Sequence, residues 1–261
     1  MTLFRKSIYI VCLVLLSSTG YAGQAGFFSV ASRDGVKQPF WLIEPDNATH
    51  CVILFAGGNG KLDIDESGIG NLSGNFLVRT RDQFAAQGMV VAVVDTPSDK
   101  DKLVGFRKTA KHAQDIQAVM AFLRQRHPGK PLWLVGTSRG TISAANVAAR
   151  VHGSDGPDGI VLTSSVTKQS KKKRDSLEAI DLSSITVPTL VVHHTNDECK
   201  VTPYAKAEAL LDALSAVKVK EFKSVSGGHT SGKPCKGKSY HGFQGIESDV
   251  VKLITGWIKT H

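Results

Sequence analysis

The chain has no second long apolar run after its first two dozen residues, so nothing beyond them is long enough to cross a bilayer as a helix. It has no Cys-x-x-Cys pair, which speaks against a structural zinc site. No Gly-Lys-Ser/Thr follows its glycine-rich loop, which disfavours phosphate cradling. Its densest basic stretch, "KQSKKKRDS" at 168–176, has no aromatic or base-reading residue interleaved, so it reads as a solvated loop and not a nucleic-acid surface. "DIDESGIG" from Asp63 resembles the start of a calcium loop, but its twelfth position is Gly74 and not the required glutamate. No internal repeat or linker divides the chain.

What is present is ordinary for a globular protein: 261 residues, 41% hydrophobic and 21% charged, with a formal charge of +9. Arg5 and Lys6 precede an apolar run from Ile8 to Leu16, followed by small and polar residues. This reads as a signal peptide over residues 1–22, cut after Ala22, or after Ala25 as a second choice. Cys12 lacks the small residues that should precede a lipidated cysteine. The expectation is an exported protein, periplasmic or secreted, of residues 23–261 in one domain, with no membrane insertion after cleavage. Without Arg5 and Lys6 it keeps 30 basic against 23 acidic residues, a charge of +7.

In an oxidising compartment disulfides persist. Of the three cysteines left, Cys51 sits in a β-branched strand pattern, where a buried thiol behaves as a small hydrophobe. Cys199 and Cys235 lie in polar loops and are expected to bridge. The rival use, a zinc site combining them with His193, His194, His229 or His241, lacks the usual spacing.

"FFSVASRDG" and "KQPFWLIEP" alternate and end in turn residues, as a starting hairpin would. Short apolar runs follow at 51–58, 89–97, 131–138, 159–165, 187–194 and 217–225, most of them continuous, which suits strands covered on both faces. Helical periods lie between them at 75–88, 112–129, 140–153, 203–216 and 245–261. Alternation of strand and helix predicts an α/β fold: a mainly parallel sheet with helices on both faces.

Gly136-Thr137-Ser138-Arg139-Gly140 falls where a strand meets a helix. Glycines on both sides remove side chains where the two backbones crowd, and the turn pushes the Ser138 hydroxyl into the crevice at the sheet's carboxyl edge. A plain helix-capping serine is the alternative.

With these residues the chain resembles the α/β-hydrolase fold, in particular small secreted bacterial hydrolases of the dienelactone-hydrolase and esterase type, over nearly all of residues 23–261. The resemblance implies a nucleophilic serine, an acid after a later strand and a histidine near the end. "VPTLVVHHTNDECKVTP" supplies Asp197, with Glu198 as a poorer neighbour. The histidine is His241, in "HGFQGIE" before the last helix, or His229, in "SVSGGHTSG" after the last strand. A Cys199–Cys235 bridge would tie the acid loop to either. His193 and His194 are assigned to packing or loop support, and His50 and His112 have no partner that sequence shows. The oxyanion donors implied are the Arg139 amide and one from "FAGGNGKL", Gly58 or Asn59, with Ala56 where the family often has histidine.

The activity implied is ester hydrolysis through an acyl-enzyme, on a small-molecule or polymeric ester, with no metal or organic cofactor. Acyl transfer or amide and peptide cleavage on the same residues, or a non-catalytic exported binding protein, are the alternatives. Only about twenty residues separate the strand runs near 165 and 187, so no large lid domain is expected and the pocket should be open, with the lysine loop near its rim. Oligomeric state is not readable.

Overall fold

The computed structural model describes residues 24–169 and 175–261. The signal-peptide reading of residues 1–22, and the lysine-rich core of the 168–176 loop, lie outside the described residues.

Eight strands form the main sheet: β1 (Gln24–Arg33), β2 (Val36–Glu44), β3 (His50–Phe55), β4 (Met89–Val94), β5 (Leu132–Thr137), β6 (Gly159–Thr163), β7 (Thr189–His194) and β8 (Lys220–Val225). Their spatial order is β1-β2-β4-β3-β5-β6-β7-β8. The opening hairpin is antiparallel and joins β4 antiparallel, and every later neighbour pair is parallel. A second, two-stranded ribbon pairs Ile64–Asp65 with Gly68–Ile69.

The continuous apolar runs work because successive side chains leave a strand on opposite faces. Ile53, Phe55, Leu132, Leu134, Ile160 and Leu162 join one core with α3 (Ala110–Arg126) and α4 (Gly140–Ala148). Their neighbours Val52, Leu54, Trp133, Val135 and Val161 join the other, under α1 (Phe76–Arg79), α2 (Arg81–Ala86) and α7 (Glu247–Ile258). Trp133 and Trp257 meet edge to face at 5.4 Å in that second layer. A side chain at Gly159 would strike the Trp133 ring, so the strand needs glycine there.

Two helices expected from periodicity are broken. The 75–88 segment divides at Thr80, whose hydroxyl donates back to the Phe76 carbonyl at 2.7 Å and competes with helix continuation. The 203–216 segment forms α5 (Tyr204–Glu208) and α6 (Leu210–Ala213), and the Lys220 ammonium takes the Leu211 and Leu214 carbonyls at its end.

A polar knot lies beneath the sheet's carboxyl edge. His112, on α3, is fully buried and meets Ser143 Oγ on α4 at 2.9 Å, and the same oxygen accepts from Arg107 Nη1 at 2.9 Å. Burial, with the nearby Arg107 and Arg33 charges, pushes the His112 pKa down to about 3. The folded state therefore holds this ring neutral where the unfolded chain would protonate it, and stability is complete above the unfolded value of about 6.5 and is lost as pH falls toward the folded one. Unfolding free energy measured by urea titration should fall between pH 6.5 and pH 4 by up to about 1.4 kcal/mol per pH unit more in the wild type than in a folded His112→Gln variant.

Candidate active site

Four segments converge where β3, β5, β6 and β7 end. β5 delivers Ser138 directly into α4, and Ser138 takes φ 53°, a left-handed value that is rare for serine. Its N–H donates to the Thr163 carbonyl at 2.9 Å, and its carbonyl accepts from the Thr141 N–H at 3.1 Å and hydroxyl at 2.7 Å. A Cβ on Gly136 would strike the Gly140 carbonyl, and one on Gly140 would strike the carbonyl of Phe55 at the end of β3. The two glycines therefore permit the tight turn, as their spacing implies.

Asp197 follows β7 by three residues and its side chain is fully buried. It accepts from the Cys199 N–H at 2.9 Å, the Thr202 hydroxyl at 2.9 Å and His241 Nδ1 at 2.9 Å, and His193 Nε2 stands 3.3 Å away. Burial alone would raise this carboxyl's pKa, but the hydrogen bonds from His193 and His241, with the His241 charge and the Cys199 amide, outweigh it and hold the group well below the ordinary carboxylate range. It stays ionised at neutral pH.

Of the two candidate histidines, the structure brings only His241 to this carboxylate. His241 is buried, in the short 3-10 turn Tyr240–Gly242, and lines a cavity with Ser138. Nδ1–H points at Asp197, so the neutral ring keeps its lone pair on Nε2, which has no hydrogen-bond partner among the described residues. His229 is exposed, and its ring contacts Gln244 at 3.5 Å and no other hydrogen-bond partner among the described residues. Glu198 is exposed too. His194 supports the loop, contacting the Gly227 carbonyl at 2.9 Å and stacking on Tyr240 at 4.7 Å. His193 does more than pack, since it approaches Asp197 itself.

The cavity is small, about 40 Å³, and besides Ser138 and His241 it is lined by Gly58, Asn75, Thr137, Cys235, Gly237 and Gly242 among others. The open pocket expected from the missing lid is thus narrowed by the 233–238 loop, which sits so closely on the turn before α1 that a Cβ on Gly237 would strike the Gly74 carbonyl. Gly58 takes φ 64°, and neither its N–H nor that of Arg139 donates to an acceptor among the described residues. Asn59 is not a wall of the cavity, and its carbonyl accepts from the Leu103 N–H at 2.7 Å.

Cys199 and Cys235 form a disulfide, and Cys51 is a buried free thiol whose pKa burial pushes up to about 12. One cluster of potential metal ligands, Asp197, Cys199 and His241, has its atoms within 4.8 Å of one another, but a disulfide sulfur offers no thiolate.

Sequence reasoning missed the residues that hold the histidine turn. Ser164 Oγ donates to the His241 carbonyl at 2.8 Å, and Arg79 bridges the Gly74 and Gly242 carbonyls at 2.7 and 2.6 Å while pairing with Glu247 at 2.9 Å. No local pattern marks these long-range contacts. A serine following a strand end, at Ser164, is the one signal that could have drawn notice.

A family model described as serine aminopeptidase, S33, matches residues 67–181, which include Ser138 but neither Asp197 nor His241. No curated protein matches the chain. Among solved structures it is similar to an esterase from Pyrococcus furiosus (14% identity, TM-score 0.65, 92% of this chain and 93% of that one). It is similar also to a cold-adapted esterase from an Arctic intertidal metagenomic library (17% identity, TM-score 0.59, 91% and 99%). A third similar structure is an α/β serine hydrolase homologue from Coxiella burnetii (15% identity, TM-score 0.62, 90% and 98%).

The disulfide closes a 36-residue separation between the Asp197 and His241 loops. Loop-closure entropy gives such a bridge about 4 kcal/mol. A Cys199→Ser/Cys235→Ser variant should lose roughly that much unfolding free energy in urea, and reductant should shift the wild type toward the variant while leaving the variant unmoved.

Proposed function

We propose that this chain, whose fold is that of the α/β hydrolases, is a serine esterase, with Ser138 as nucleophile, His241 as base and Asp197 as the group that orients His241. The observation that carries this reading is the short, buried Asp197–His241 bond beside a serine held at positive φ in the same cavity. The free Nε2 lone pair is the atom that accepts the Ser138 proton. The Ser138–His241 hydrogen bond is absent from this structure, and such bonds commonly tighten only when substrate is bound.

In the first step Ser138 Oγ attacks the ester carbon as His241 Nε2 takes its proton, and the carbonyl oxygen becomes an oxyanion facing the amides of Arg139 and Gly58. Asp197 keeps the ring in the required tautomer and balances the imidazolium charge. Collapse expels the alcohol, which receives the proton from His241, and leaves the acyl group on Ser138. Water, deprotonated by the same nitrogen, then attacks the acyl-enzyme; the acid leaves and the proton returns to Ser138 through His241. No step calls on a cofactor. A cavity of about 40 Å³ admits a few water-sized groups, so the larger part of the substrate rests outside it, against the 233–238 loop.

A peptidase reading follows from the description of the matched family model. An aminopeptidase must hold a substrate ammonium, and no carboxylate among the described residues lines the cavity beside Ser138. An ester is favoured for that reason. We infer further that the mature protein is exported: the disulfide supports an oxidising compartment, in keeping with the leader-like pattern at 1–22.

Labelling with a fluorophosphonate probe tests the nucleophile. The wild type should label and Ser138→Ala should not; an unlabelled wild type, or equal labelling of the two, would end the esterase reading. Asp197→Asn should retain substrate binding and lose kcat by roughly 10⁴-fold toward an activated short-chain ester, since the ring then loses its tautomer restraint. His241→Ala should lose activity while His229→Ala keeps it.

A further inference from the structure

On the esterase reading, we propose that Arg107 is a positioning residue for the oxyanion hole: it holds the carbonyls of the loop after β3 so that the amides of that loop face Ser138.

Arg107 is 1% exposed, yet it makes no ion pair with a carboxylate among the described residues. Its Nη2 donates to the Ala56 carbonyl at 2.9 Å and lies 3.5 Å from that of Gly57; its Nη1 donates to Ser143 Oγ; its Nε has no partner among the described residues. The nearby buried Asp175 acts on this charge only through space, without a bond to it, so burying the cation is costly, and a core serving stability alone would place an apolar side chain here. Burial pushes the guanidinium down to about 9, still above neutrality, so the charge persists at physiological pH.

The geometry of the peptide unit turns this contact into a directional constraint. None of the described peptides is cis, and in a trans peptide the C=O and N–H point in opposite directions. Drawing the Ala56 and Gly57 carbonyls down to the guanidinium therefore turns the Gly57 and Gly58 amides toward the opposite side. That side holds the nucleophile: a Cβ on Gly57 would lie 2.9 Å from Ser138 Cβ, and Gly58 walls the cavity. A cation on a carbonyl also polarises the N–H of the same peptide, which strengthens the donor offered to an oxyanion.

The far end of the loop is held by the opposite charge. Buried Asp95 accepts from the Leu62 N–H at 2.6 Å and the Ile64 N–H at 2.9 Å. Carbonyls at the near end thus meet a cation and amides at the far end meet an anion, which fixes the peptide planes between them. Gly60 makes room, since a Cβ there would lie 2.6 Å from Arg107 Nη2.

Arg107→Met and Arg107→Lys, each normalised to the serines that a fluorophosphonate finally labels, separate positioning from mere stability. Arg107→Met should lower kcat by roughly 10²-fold with KM held within about threefold, and should weaken an alkyl boronic acid by a similar factor, because its tetrahedral adduct needs the same amides. Arg107→Lys should recover part of both losses by restoring one hydrogen bond. A role confined to stability would lower the melting temperature and leave kcat and boronate affinity per labelled serine at wild-type values, and that result overturns the proposal. Should Arg107→Met not fold, Arg107→Lys decides alone, a wild-type kcat and boronate affinity counting against it. An inactive, unlabelled wild type would instead sink the esterase reading, whereas an active wild type with equally active variants removes only the role of Arg107.

Discussion

The structure depends on holding Ser138 at a backbone angle that serine avoids. A residue at φ 53° stores about 1–3 kcal/mol of strain, and it persists only where its surroundings leave no alternative. Here the N–H is bonded to the Thr163 carbonyl, the carbonyl is bonded twice by Thr141, and three glycines let β3, β5 and α4 approach until a single methyl group would not fit. The strain is met by the central strands, which are buried along almost their whole length. A strained turn at a sheet edge with fewer neighbours would relax. This is why the strand that carries Ser138 lies in the middle of the order, flanked by β3 and β6, with polar groups arriving from loops on either side.

Those loops are long-range by nature and need anchors of their own. Asp197 is fixed by its short distance from β7 and by bonds from Cys199 and Thr202 within the same turn. His241 has no strand to carry it; it sits in a brief turn after β8, and its position is assembled from distant parts of the chain. Ser164 holds its carbonyl from the end of β6, Arg79 holds that of Gly242 from α1, Phe243 packs against Phe76 at 4.9 Å, and the Cys199–Cys235 bridge fastens the loop before it to the Asp197 turn. The disulfide thus stabilises the chain and limits drift between the acid and the imidazole, and Cys235 also narrows the cavity. Stability and site geometry share one covalent bond.

How legible this was from sequence depends on how local the determining physics is. The strand pattern was readable because a doubly covered strand writes a continuous apolar run and a half-covered hairpin writes an alternating one, and all eight strands of the main sheet fall on segments read in one of these ways, with ends displaced by a few residues. The Ser138 turn was readable because its glycines are needed within two residues of the serine. The Cys199–Cys235 pairing followed from elimination among few cysteines. The choice between His229 and His241 was not fixed by spacing, because both follow β8 and only tertiary contact separates a buried ring from an exposed one. Thr80 and Lys220, which end helices that periodicity continues, act through one hydroxyl and one ammonium that a hydrophobic pattern does not register. The narrow cavity escaped notice because counting residues between strands finds an inserted lid, but not a later loop folding back over the sheet edge.

Arg107, His112 and Ser143 escaped for a more general reason. A buried polar group in an apolar segment looks in sequence like a surface residue on the wrong face of a helix, and only the fold shows that it points inward. Energetically the three are a poor choice for a core: His112 is held uncharged, Arg107 is held charged, and both keep a ring or guanidinium nitrogen without a partner among the described residues. Apolar side chains of similar volume would spare that desolvation. What apolar side chains cannot do is fix the plane of a peptide bond, because only a hydrogen bond distinguishes a carbonyl pointing down from one pointing up. Where a loop must present its amides to one side, a donor on the other side is the economical solution, and the donor has to be long, branched and buried to reach two consecutive carbonyls from behind. Arginine meets those demands and lysine meets them in part. Its placement directly beneath the glycines that face Ser138 ties the least stable-looking feature of the core to the chemistry above it.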